Sequence, residues 1–173
     1  MFLKSNNNIR LLELELETKQ RFMKLASQGA QYAISAIFAI SKHPNEVISA
    51  AELAKSLNCP AAYLSQILAK LKSPGILKSQ RGLNGGVYLA KPTTDISIYD
   101  VITAIDGEMT YTSCFMGIEG CGHIEPCPFH DFWSIERNKI KHWLKSTSFA
   151  DADANMSQTW FDLRLNFSNG VNK

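Results

Sequence analysis

Cys114, Cys121, Cys127 and His130 lie in one short stretch, with gaps of six, five and two residues between them. Thiolates and an imidazole are the donors that hold a zinc ion or an iron-sulfur cluster, and a loop containing Gly117, Gly120 and Gly122 is pliable enough to wrap either. Spacing alone does not choose between them. Neither the close Cys-x2-Cys pairs of a zinc ribbon nor the tight ferredoxin run is present. Glu119, His123 and Glu125 are neighbouring alternatives, read first as solvated loop side chains. Cys59 stands apart at a helix start, where a helix dipole can stabilise a thiolate. It reads as an ordinary cap-region residue, leaving three ligand cysteines and a bystander.

A chain of 173 residues with a 45% hydrophobic share supports one compact domain, with room for an extension. No apolar run approaches the roughly 18–20 residues of a membrane span. Glu13, Glu15 and Glu17 occupy the place of a secretory signal's apolar core. The expected location is therefore cytoplasmic, where thiols stay reduced and clustered cysteines are more often ligands than disulfides. Catalysis is not indicated, since the chain shows no nucleophile with a paired base, no phosphate loop and no catalytic carboxylate pair.

From Leu53 to Lys91 the chain carries Lys55, Lys70, Lys72, Lys78, Arg81 and Lys91 with no Asp or Glu, a local basic surface suited to phosphates. The elements around it read in order. Tyr32, Ile34, Ile37, Phe38 and Ile40 suit a buried helix from Leu25 to about Ser41. Ser49 and Glu52 form a capping box for a short helix through Leu57, and a turn at Asn58–Cys59 follows. Pro60 opens a further helix whose Leu64, Ile67, Leu68 and Leu71 share one face. Ile76–Gln80 and Val87–Ala90 alternate as strands of a hairpin, with Asn-Gly and further glycines at its tip to supply positive φ. Ser97 and Asp100 cap another helix, ending at Gly107. This is the order of a winged helix-turn-helix: mainly α with a small β-hairpin wing, followed by a long helix.

The expected division is an extension of unknown role over 1–22, a DNA-binding domain over 23–107, a cysteine-rich loop over 108–130, a dimerisation helix over 131–149 and a loosely ordered polar tail over 150–173. Phe129, Phe132, Trp133, Ile140, Trp143 and Leu144 give the long helix an aromatic stripe that a second subunit would bury. Tyr63, Ser65, Gln66 and Lys70 lie off the apolar face of the recognition helix, with Gln66 suited to an adenine edge and Lys70 and Lys72 to phosphates. Arg81 sits at the wing tip with Asn84 and Gly85, where an Arg can enter a narrow minor groove.

Met23–Lys24–Leu25, the run Tyr63–Leu71 and the run Ser79–Leu89 closely resemble the Rrf-two family of bacterial transcription regulators, over residues 23 to 146. The resemblance implies a homodimer that binds an operator in double-stranded DNA. Its cluster-binding branch, of the IscR and NsrR types, has three cysteines at similar spacing after the helix that follows the wing. The IscR type adds a histidine three positions beyond the third cysteine, matching His130. One departure is the first gap, six residues here against five in those types. The resemblance favours [2Fe–2S] over [4Fe–4S], because three cysteines with one histidine match the IscR type and the first-helix stretch Ser27–Tyr32 offers no carboxylate to serve as a fourth ligand from a partner. Structural zinc on the same DNA-binding module, and an iron-sulfur carrier or electron-transfer protein, are the competing readings.

Overall fold

The computed structural model describes residues 25–44, 46–122 and 125–156. The expected extension over 1–22, the Met23–Lys24 part of the resemblance, His123 and the tail beyond 156 lie outside the described residues.

Helix α1 (Gln28–Ser41) buries Ala30, Ala33, Ala36, Ile37, Phe38 and Ile40, so most of its surface is core. Its first turn is capped by Ser27, whose hydroxyl accepts from the Ala30 N–H. Helix α2 (Ala50–Ser56) begins at the Ser49–Glu52 capping box, and chain reversal at Asn58 uses a positive φ of 46°. Helix α3 (Ala61–Lys72) follows and buries Leu64, Ile67, Leu68 and Leu71. The spacing of those four makes one apolar face, so α2 and α3 are held at a fixed angle by a shared core and not by their short turn.

Strands β1 (Leu77–Gln80) and β2 (Gly86–Leu89) pair antiparallel, with Leu77 opposite Leu89 and Gln80 opposite Gly86. The segment before α2 adds a third edge, because Ile48 and Val87 exchange N–H···O bonds of 3.0 and 2.9 Å. The glycines of the tip divide their work differently from the sequence expectation. Gly82 has the positive φ, at 116°, whereas Gly86 is there for close approach: a Cβ would stand 2.2 Å from the Ile48 carbonyl oxygen.

Helix α4 (Ile98–Asp106) starts at the Ser97–Asp100 capping box and ends at Gly107 with φ 78°. A short 3₁₀ turn over Glu108–Tyr111 leads into the cysteine loop, which enters helix α5 (His130–Ser146). A second core of Ala30, Tyr99, Ile102, Tyr111 and Leu144 locks α5 and α4 to α1. Tyr111 reinforces it by donating to the Leu25 carbonyl at 2.7 Å.

The region expected to open the polar tail is ordered differently. Ser148 caps a sixth helix, α6 (Phe149–Ala154), in a capping box with Asp151. Phe149 is 1% exposed and its ring lies 4.9 Å from that of Phe38, inside the helix-turn-helix core. Composition misses this because a single aromatic side chain carries the docking. The backbone seals it, with Ile98 N–H bonded to Thr147 and Phe149 N–H to Ile96.

Candidate metal centre and nucleic-acid interface

The loop between α4 and α5 brings the three predicted thiols together. The Sγ atoms of Cys114, Cys121 and Cys127 all lie within 4.8 Å of one another, and all three cysteines are free and partly exposed. Cys114 and Cys127 are the close pair, at 3.6 Å. His130 is the first residue of α5, and its Nδ1 lies 3.5 Å from the Cys121 Sγ. The Cys127 N–H also points at that sulfur, at 3.3 Å.

Local backbone geometry explains how the imidazole reaches the thiols. Gly122 has φ 91°, and a Cβ there would lie 2.1 Å from the His130 Cε1. Any side chain at 122 would push the ring away from the sulfurs. The other side of the site is built by α5 itself, since His130, Trp133 and Arg137 recur at helical spacing on one face. Trp133 donates from Nε1 to the Ser113 carbonyl at 3.0 Å, and Arg137 donates to the carbonyls of Thr112 and Ser113, each at 2.8 Å. These bonds pin the residues next to Cys114. Sequence reading passed over Trp133 and Arg137 as site residues, although their spacing from His130 was the available signal.

A cavity of about 290 Å³ lies against Cys114, Cys121, Gly122, His130, Trp133 and Arg137. Desolvation opposes ionisation of Cys114, but the N–H groups of Ile118 and Met116 and the neighbouring thiols outweigh it and bring its pKa down to about 7. Cys127 moves the other way: desolvation and the adjoining Cys121 and Cys114 push its pKa up. One thiol of the set is therefore readily a thiolate, the form that ligates metal, at neutral pH. Cys59 lies elsewhere, buried in the main core with its thiol pushed up by burial, as suits a packing residue.

The residues singled out for DNA fall into two groups. Gln66, Arg81 and Asn84 are exposed on the recognition helix and wing, as are Lys72 and Lys78 of the basic segment, whose Lys55 is exposed on α2. Leu83, at the outermost point of the wing, is fully exposed and was not singled out from the sequence. The others have structural partners. Tyr63 is 39% exposed, with its ring edge-on to Tyr32 at 6.1 Å, joining α3 to α1. The Ser65 hydroxyl donates to the Ala61 carbonyl at 2.8 Å, and Lys70 Nζ donates to the Ile105 carbonyl at 3.2 Å. Gly85 closes the tip, where a Cβ would meet the Gln80 oxygen at 2.7 Å.

Comparison with known proteins identifies the family and the fold. The family model Rrf2, described as an iron-dependent transcriptional regulator, matches residues 26–154. The HTH-type transcriptional regulator IscR of Serratia proteamaculans is 31% identical over 130 residues, which is 75% of this chain and 78% of that protein. Among solved structures, T. potens IscR superposes with a TM-score of 0.60 at 25% identity, covering 79% of this chain and 94% of the other. CymR, the global cysteine regulator of B. subtilis, superposes with a TM-score of 0.62 at 24% identity, over 76% of this chain and 97% of its own, and shares the fold.

Proposed function

Because the chain belongs to the Rrf2 family of DNA-binding, winged-helix transcriptional regulators and is similar to IscR, we propose that it is an iron-sulfur-dependent regulator holding a [2Fe–2S] cluster. Cys114, Cys121, Cys127 and His130 are the ligands in this reading. The observation that carries it is the convergence of three Sγ atoms within 4.8 Å of one another with the His130 ring seated on Gly122 beside them. One further feature fits an anionic group: the buried Arg137 Nε, which has no hydrogen-bond partner among the described residues.

When bound, such a cluster supplies a one-electron redox change and a difference between occupied and empty states. The chain's own residues turn that difference into a change of shape. Trp133 and Arg137 tie the loop at Ser113 to α5, while Lys70 ties α3 to the carbonyl of Ile105 at the end of α4, where the loop begins. Loop position, dimer helix and recognition helix are thus mechanically adjacent. A coupling of about 1–3 kcal/mol between loop state and helix position changes operator affinity by roughly 5- to 150-fold.

Dimerisation through α5 belongs to the same proposal. Ile140 and Leu144 face the second core, whereas Phe132 (72% exposed), Trp143 (58%) and Ile135 (55%) form an apolar outward side. A second copy covering this side would place two recognition helices on paired half-sites. In this reading Gln66 contacts a base edge, Arg81, Asn84 and Gly85 approach the minor groove, and Tyr63, Ser65 and Lys70 line the DNA-facing surface.

Structural zinc is a second reading with its own support. Two thiolates on a tetrahedral zinc, each at about 2.3 Å, stand roughly 3.8 Å apart, and the Cys114–Cys127 separation is 3.6 Å. Anaerobic purification followed by iron, sulfide and zinc analysis tests the proposal. A brown protein containing iron and sulfide, whose affinity for an operator changes when the cluster is removed, is the expected result. A colourless protein carrying stoichiometric zinc would overturn it.

A further inference from the structure

Arg137 is placed unlike the other cations of α5. Lys139 pairs with Glu136 at 2.8 Å, and Lys141 and Lys145 lie over the Tyr99 ring. Arg137 instead turns inward, and one terminal nitrogen is spent on the Thr112 and Ser113 carbonyls. It makes no ion pair with a carboxylate among the described residues, and its Nε is buried there without an acceptor. The side chain lines the cavity shared with Cys114, Cys121 and His130. A partly buried guanidinium with no counter-charge and an unanswered N–H is costly unless an anion completes it.

The anion that fits is the one the site is built to hold. Three thiolates with inorganic sulfide give an iron-sulfur centre a net negative charge, and reduction deepens that charge by one electron. Cluster potentials are set by net charge, by hydrogen bonds to sulfur and by exposure. A fixed cation beside the site stabilises the reduced state more than the oxidised one.

We propose that Arg137 is a positioning and tuning residue of the metal centre, its guanidinium acting as the counter-charge that raises the reduction potential of a cluster held by Cys114, Cys121, Cys127 and His130. This rests on the iron-sulfur reading above. It assigns to α5 a third task, beside carrying His130 and the outward apolar side: setting how readily the centre takes an electron.

The test is an anaerobic spectroelectrochemical titration of the full chain and of Arg137→Gln and Arg137→Lys, with the thermal midpoint of each metal-free protein measured alongside. Arg137→Gln, which removes the charge, is expected to bind the electron about tenfold less tightly, a fall of about 59 mV for a one-electron couple. Arg137→Lys keeps the charge and is expected to fall by less than half as much. A strut that merely holds the loop would lower the thermal midpoint in both variants and leave the potential alone. Equal potentials in all three proteins, equal falls in both variants, or loss of the cluster from both variants would overturn the assignment. If the parent itself holds no iron and sulfide, the iron-sulfur reading fails first and takes this inference with it.

Discussion

The helix-turn-helix with its wing and the cysteine loop, though neighbours along the chain, are held by opposite means. The recognition helix and wing sit on a continuous apolar core that includes Leu64, Ile67, Leu68, Leu71, Leu77 and Val87. The loop exposes its apolar residues instead, with Phe115, Met116 and Ile118 each more than half exposed. What positions it are hydrogen bonds from Trp133 and Arg137 and the packing of the Phe115 ring against Phe129 and Trp133, and its three thiols are proposed above to take a metal. Burial makes the first surface rigid whatever else is bound. On the reading proposed above, ligation makes the second conditional, as a sensing element requires.

The sharpest way to break this contrast is to remove one ligand. Cys121→Ala is expected to abolish metal and cluster retention, because no other thiol stands ready beside Cys114 and Cys127. Anaerobic iron and sulfide analysis checks this, and the metal-free variant should keep the parent's unfolding midpoint. Full cluster content would move the ligand elsewhere.

The reciprocal change strikes the core and spares the ligands. Phe149→Ala is expected to cost about 3–5 kcal/mol, the usual range for emptying a buried aromatic site, as measured by urea unfolding of the metal-free protein. An effect under about 1 kcal/mol would mean that α6 does not hold the helix-turn-helix core, and the contrast drawn above would lose one half.

Smaller effects separate the parts of the reading surface. Gln66→Ala is expected to relax base preference at one position of each half-site, at roughly 1–3 kcal/mol for a bidentate contact. Arg81→Ala should weaken operator binding and leave cluster content untouched. Lys72→Ala should lower the dependence of binding on salt by about one unit, equally for specific and scrambled duplexes. Salt-titrated fluorescence anisotropy reads all three. Unchanged operator affinity in both the Gln66 and Arg81 variants would remove the wing and α3 from the interface.

The mildest probe sharpens the loop itself. With its pKa brought down to about 7, Cys114 is expected to alkylate in the metal-free, reduced protein at a rate that climbs as pH rises through 7. Cys127, pushed upward, should lag until well into the alkaline range. The sign follows from the thiolate being the nucleophile. Mass spectrometry of iodoacetamide-labelled peptides across pH resolves the two sites, and simultaneous labelling would contradict the asymmetry.

What could be read from residue types is what depends on local pattern. The apolar spacing of α3 and the capping boxes at Ser49, Ser97 and the hairpin signals each act within a few residues, so the winged helix-turn-helix follows from them. The Cys-Cys-Cys-His set was equally visible, since metal chemistry needs particular atoms and few residues supply them. The tertiary structure alone decided features that join segments far apart in the chain. Phe149 docks on Phe38 and opens a helix where the expected tail begins. Lys70 turns to the Ile105 carbonyl, and Gly86 makes room for Ile48 where a turn role was expected. Arg137 closes the loop at Thr112 and Ser113. A single side chain meeting a distant backbone atom leaves no period in a sequence, because its partner is chosen only when the core brings the two together.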